Sequence, residues 1–257
     1  MSKRILRLLV VGCFFAGVVW AADDPFVGEW KLNPSKSRFP DEMKVESAGA
    51  NKYAFDFGAG TTETIVADGT DQPGLAGTTL SVTVEGPDSW KVVRKKDARI
   101  LLTANWELSK DGNTLRDDYT EFGSNGASSN VKYVYKRTAG TSGFAGTWES
   151  TSEQVNSAFV LQIRSYEGDG LTFIDPEQTK SVKSDGKDYP HQGSNAASGS
   201  VSSGRRVNER TLEIVDKVNG KTRATEQVEL SPDHKTLTMT VQPAGRSKPN
   251  VLVFDRE

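Results

Sequence analysis

Cysteine and histidine are almost missing from this chain of 257 residues: Cys13 is its one thiol, and His191 and His234 are its two imidazoles. A lone cysteine builds no disulfide framework within the chain and no Cys-based zinc site. The two histidines, in the turn-like contexts "YPHQG" and "SPDHKT", read as exposed turn residues and make no metal site. Motifs of hydrolytic or phosphoryl chemistry are missing as well, with no nucleophile elbow, HExxH or phosphate loop. A Ser-His-Asp site can be assembled from distant residues, but no spacing here points to one. The expectation is a protein that is not an enzyme and carries no cofactor.

A basic excess is missing too. Against 34 Asp and Glu stand 32 Lys and Arg, and three of those cations (Lys3, Arg4, Arg7) lie in an N-terminal segment that reads as removable, leaving a net charge of −5. Nucleic-acid binding requires a clustered basic surface, whereas Arg94-Lys95-Lys96 and Arg205-Arg206 are short runs that read as solvated faces. The longest apolar stretch, Leu8 to Trp20, falls short of the roughly 20 residues of a comfortable membrane span. No nucleic-acid partner and no membrane span are therefore expected.

What is present begins with that N-terminus. A basic start, an apolar stretch and the small-residue pattern Val19-Trp20-Ala21 followed by Asp23-Asp24 have the layout of a secretory signal peptide. Residues 1–21 should be removed and the protein exported, to the periplasm or beyond. Val10-Val11-Gly12-Cys13 offers lipid attachment at Cys13 as an alternative, against which the apolar run continues through Phe14, Phe15, Val18 and Val19.

The rest of the chain is written twice. "FVGEW" at 26 to 30 is answered by "FAGTW" at 144 to 148, "ADGTDQP" at 67 to 73 by "SDGKDYP" at 184 to 190, and "LSKDGNTL" at 108 to 115 by "LSPDHKTL" at 230 to 237. Tyr135-Lys136-Arg137 is answered by Phe254-Asp255-Arg256. Landmarks in one order at a nearly constant offset mark a tandem repeat, read as residues 25–137 and 143–257 with a flexible linker at 138–142. Apolar residues recur with period two, as in Ile100, Leu102, Ala104, Trp106 and Leu108, or Tyr53, Phe55 and Phe57, and Gly-containing turns separate the runs. The pattern predicts an all-β protein of two tandem small antiparallel β-barrels, about eight strands each, a size at which a sheet can close on itself.

Phe-x-Gly-x-Trp at the start of a small β-domain, with an Arg on its last strand, resembles the lipocalin and wider calycin pattern. "GEWKLNPSKSRF" at 28 to 39 is similar to the first strand of lipocalin-like domains in secreted bacterial proteins. The resemblance implies a structural plug in each barrel, Gly28 and Trp30 with Arg137 in the first, Gly146 and Trp148 with Arg256 in the second. An indole buries about 150–250 Å², and a guanidinium on its face adds about 0.5–2 kcal/mol.

The function expected is the non-enzymatic binding of a small apolar molecule, with Tyr53, Phe55, Phe57, Ile100, Leu102 and Trp106 on inward faces of the first barrel. Such a pocket would measure about 300 Å³ or more. The alternative is a cell-envelope interaction or structural module whose barrels are packed solid. Asp68-Gly69-Thr70-Asp71 and Asp185-Gly186-Lys187-Asp188 read as hairpin turns rather than calcium loops, since Lys187 would sit among the ligands. "GSNAASGSVSSG" at 193 to 204 reads either as a mobile mouth loop of the second barrel or as a long surface connection.

Overall fold

The structure, a computed structural model, describes residues 24–58, 62–123, 126, 128–156, 159–176, 178–193 and 196–257. The segment read as a signal peptide, with Cys13, lies outside the described residues. Among them, one 3-10 turn (Leu75–Gly77) accompanies twenty strands. The first eleven are β1 (Gly28–Leu32), β2 (Glu42–Gly49), β3 (Lys52–Asp56), β4 (Thr62–Val66), β5 (Gln72–Pro73), β6 (Thr79–Gly86), β7 (Ser89–Lys96), β8 (Arg99–Leu108), β9 (Thr114–Phe122), β10 (Ser128–Ala139) and β11 (Gly146–Asn156). The rest are β12 (Val160–Tyr166), β13 (Gly170–Ile174), β14 (Thr179–Val182), β15 (Tyr189–Pro190), β16 (Ser200–Asn208), β17 (Thr211–Val218), β18 (Lys221–Leu230), β19 (Thr236–Pro243) and β20 (Asn250–Arg256).

These strands form two antiparallel sheets of ten, ordered β4-β3-β2-β11-β10-β9-β8-β7-β6-β5 and β14-β13-β12-β1-β20-β19-β18-β17-β16-β15. Each sheet curls into a nearly closed barrel around its own core. At the seam of the first, the Gln72 side-chain amide does the work of a strand, accepting from Val66 N and donating to Val66 O. At the seam of the second, Thr179 and Gln192 exchange backbone hydrogen bonds. The all-β, two-barrel expectation holds. The strand count is higher than eight partly because β5 and β15, with two residues each, are too short to show any alternation.

The two strand orders correspond place for place, and they correct the division of the chain. The place of β1 in the second barrel is taken in the first by β11. The first barrel is therefore one continuous stretch, 42–156, and the second combines 28–32 with 160–256. Residues 138–142 are no interdomain linker; they lie where β10 turns back into β11, both in one barrel. The repeat in the sequence runs from Trp to Arg, whereas each barrel is closed by an Arg and a Trp on adjacent strands. A short turn after Arg137 brings Trp148 beside it far more directly than Trp30, which lies more than a hundred residues away.

The plugs follow this exchange. Arg137 lies over Trp148, its Cζ 4.1 Å from the ring centre, and Arg256 lies over Trp30 at 4.2 Å. The pairings expected within each repeat, Trp30 with Arg137 and Trp148 with Arg256, are thus replaced by their reciprocals. Both indoles are fully buried, and each N–H donates to the carbonyl of the Phe four residues earlier, Trp30 to Phe26 and Trp148 to Phe144. This accounts for the Phe-x-Gly-x-Trp spacing. A Cβ on Gly146 would come within 2.5 Å of Arg137 Nη1 and 2.6 Å of the Ala139 carbonyl, and Gly28, where a Cβ would lie 2.9 Å from Arg256 Nη1, has φ +151°, so both places favour glycine. Each Arg also donates through Nε to a turn carbonyl, Arg137 to Gly112 O and Arg256 to His234 O. Those turns are the repeated "LSKDGNTL" and "LSPDHKTL", braced alike by Ser109–Asp111 and Ser231–Asp233.

"GSNAASGSVSSG" is only partly a loop. Residues from Ser200 onward form β16, where the inward Gly204 lies so close to β14 that a Cβ would meet that of Val182 at 2.9 Å. Small residues here mark a tight wall, not a mobile connection.

Candidate ligand-binding site

Inside the first barrel, away from the Arg137–Trp148 plug, is a cavity of about 580 Å³. It arises from alternation along neighbouring strands. On β8, Leu102, Ala104 and Trp106 turn inward, and on β9 Asp117, Tyr119 and Glu121 meet them, with Trp106 opposite Asp117 and Ala104 opposite Tyr119. Ala104 is the small residue that leaves the space open. Phe57 closes one side.

Of the six residues expected in a pocket, Phe57, Leu102 and Trp106 line this cavity. Phe55 is fully buried behind them, its ring 5.8 Å from Phe57 and 5.9 Å from Trp106. Tyr53 packs edge-on against Trp90 at 4.7 Å. Ile100 is placed differently: it is 43 % exposed. A bulge between Ile100 and Leu102 inserts one residue against β7, and the extra residue turns Ile100 to the outside.

The polar groups of the cavity were not singled out by the sequence. Arg94, expected on a solvated face, continues the inward alternation of Trp90 and Val92 and forks onto Glu63 at 2.8 and 2.6 Å. Burial pushes the Glu63 carboxyl up, but Arg94 and the Leu75 N–H outweigh it and hold it below its ordinary value. Tyr135 donates to Asp41 at 2.6 Å, and Arg246, from the loop between β19 and β20, pairs with the same carboxylate at 2.7 Å. The second barrel thus supplies a cation to the mouth of the first. Asp117 is different in kind. It is 7 % exposed, its Oδ1 makes no hydrogen bond, and neither does the N–H of Trp106 opposite. Burial raises the Asp117 carboxyl to about 8; the Trp106 N–H, which faces it short of hydrogen-bond geometry, pulls it down, and Asp41 and Asp118 push it further up.

At corresponding places the second barrel carries a charge cluster. Register aligns Glu63 and Arg94 with Lys180 and Asp216, signs reversed, and Ala104 with Glu226. Lys180 Nζ lies 2.8 and 2.7 Å from the Glu226 carboxylate and 3.4 Å from Asp216. Burial and the negative Asp216 raise Glu226, to about 7, while Lys180 and the Ser202 hydroxyl overcome burial to lower Asp216. A single ammonium thus sits between two acids.

His191, expected to be exposed, joins this cluster: its side chain is 8 % exposed and its Nε2 meets Ser202 Oγ, which donates to Asp216. Burial lowers its pKa. The hydroxyl here stands between imidazole and carboxylate, whereas a nucleophilic triad places the imidazole between them. Ser202 is also fully buried. His234 is exposed, in a turn, as read. Asp68 and Asp185 accept from the backbone N–H two residues on, the bond that defines their turns.

No family model, curated protein or solved structure matches the chain.

Proposed function

We propose that this is an exported, tandem lipocalin-like protein that binds one small, largely apolar molecule in its first barrel and performs no chemistry on it. The observation that carries this reading is the cavity of about 580 Å³ walled by Phe57, Leu102, Trp106 and Tyr119. Its volume lies within the range of about 300–1,000 Å³ of small-molecule sites, and its few polar groups among apolar walls are the usual composition of such a site. Export is supported by the basic, apolar and small-residue order of residues 1–21. Cleavage after Ala21 leaves two residues before Asp24, which pairs with Arg206 beside β1. An intact mass with no acyl chain on Cys13 is the expected outcome for the exported protein.

The second barrel favours a different role for itself. Its Glu226 stands where Ala104 leaves the first barrel open, and its Arg246 reaches the mouth of that cavity. It serves as a packed support for the binding barrel.

A hydrophobic fluorescent probe titrated into the native protein should bind saturably at micromolar concentration and quench indole emission through Trp106. Ala104→Phe, which fills the cavity, should abolish binding while leaving the thermal midpoint within a few degrees. Probe binding that appears only under partly unfolding conditions, or that survives Ala104→Phe unchanged, would overturn the reading.

A further inference from the structure

The cavity holds two buried polar atoms that the protein leaves unpaired, Trp106 Nε1 and Asp117 Oδ1, on register partners of β8 and β9. Both residues line the cavity and are almost fully buried, at 2 % and 7 % exposure. Residues opposite one another in an antiparallel pair have Cβ atoms about 5 Å apart, so a single atom of a bound molecule can face both. A buried polar atom without a partner is uncommon, and leaving it so costs about 1–3 kcal/mol. Two of them side by side, in a cavity whose other charged groups have partners, form a built polar spot.

We infer that the molecule bound in the first barrel is a neutral apolar compound bearing a hydroxyl group, whose oxygen accepts from the Trp106 N–H and whose proton is donated to Asp117. The inference rests on the cavity being a ligand site, and narrows its ligand by a donor and acceptor count. An indole N–H only donates, and an oxygen without its own proton only accepts. The neutral Asp117 keeps one oxygen without a proton as an acceptor, and a carboxylate ligand has no proton to offer it and would satisfy Trp106 alone. An ammonium would satisfy Asp117 alone and would direct N–H groups at the indole N–H. A pure hydrocarbon would satisfy neither. A hydroxyl both accepts and donates and so satisfies both at once.

The charges around the cavity agree with a neutral ligand. Arg94 is held by Glu63 and Arg246 by Asp41, and Glu121 has an interaction of its own. Below about pH 8 the buried Asp117 carboxyl is itself neutral, offering a cation no opposite charge. The aromatic walls suit a flat or chain-like body, with the hydroxyl directed toward the Trp106 and Asp117 layer.

The test uses four probes of one body: 2-naphthol, naphthalene, 2-naphthoate and 1-naphthylmethylammonium, titrated at pH 7 into the full protein after signal removal. 2-Naphthol should bind at least tenfold more tightly than each of the others. Asp117→Leu and Trp106→Phe should each narrow the preference for 2-naphthol over naphthalene to within about threefold, whatever either does to naphthalene itself. Equal binding of 2-naphthol and naphthalene by the unaltered protein would overturn the hydroxyl assignment and leave the apolar-carrier reading standing. Tightest binding of the ammonium or the naphthoate would overturn it in favour of charge recognition. If none of the four binds, both readings fall.

Discussion

Asp117 shows how a single side chain can shape the behaviour of the whole protein. Its carboxyl, ordinarily near about 4, stands at about 8 in the folded chain. Between those values the folded state holds a proton that the unfolded state has released, so stability falls as pH rises through this window and is lowest above about 8. Four pH units at about 1.4 kcal/mol each set an upper bound of about 6 kcal/mol. Urea unfolding at pH 5 and pH 8 should show this decline, and Asp117→Asn should flatten most of it. Glu226, raised to about 7, would leave a residual slope of the same sign. An unchanged slope in the variant would remove Asp117 as the cause. The sequence carried a faint signal of this residue, since Leu115, Asp117 and Tyr119 sit at period two in "TLRDDYTEF". An acid in such a pattern resembles any solvated strand residue until the register with Trp106 is known. Arg94 was hidden in the same way by the two lysines that follow it.

At the level of strands, the repeated landmarks were legible and their pairing was not. Phe-x-Gly-x-Trp and the closing Arg are local patterns, whereas the choice of partner depends on which strand the chain turns back to. Trp148→Ala should cost about 3–5 kcal/mol, as large aromatic truncations in cores do. In double-mutant cycles Arg137→Ala should couple with Trp148→Ala, and Arg256→Ala with Trp30→Ala, because these groups touch. The combination of Trp30→Ala with Arg137→Ala should be additive. Coupling within the sequence repeats instead would contradict the strand order. Ile100 adds a second lesson: strict alternation places it inside, but one inserted residue reverses its face.

For the whole molecule, two barrels were readable from two copies of each landmark, while the exchange of the Trp-bearing strand was not, because the sequence period is the same whichever barrel receives it. Residues 41–157 contain every strand of the first barrel and should fold alone, with cooperative unfolding and dispersed amide resonances. Residues 159–257 lack β1 and should not. Joining residues 24–33 after Glu257 through a short Gly-rich turn gives the second barrel the connectivity of the first and should restore its fold, since β1 already pairs with β20 from Trp30 to Arg256. Failure of the rejoined chain while 159–257 folds unaided would refute this division. The same connectivity sets an order of events during synthesis. The first barrel has all its strands once residue 156 has emerged, but Trp30, among the first folded residues made, waits for Arg256, next to last, before its face is covered. Closing a loop of that length is slow compared with a hairpin. Until the last strand arrives, β1 has only β12 to pair with, and its other edge, with the face of Trp30, stays open to whatever meets the growing chain.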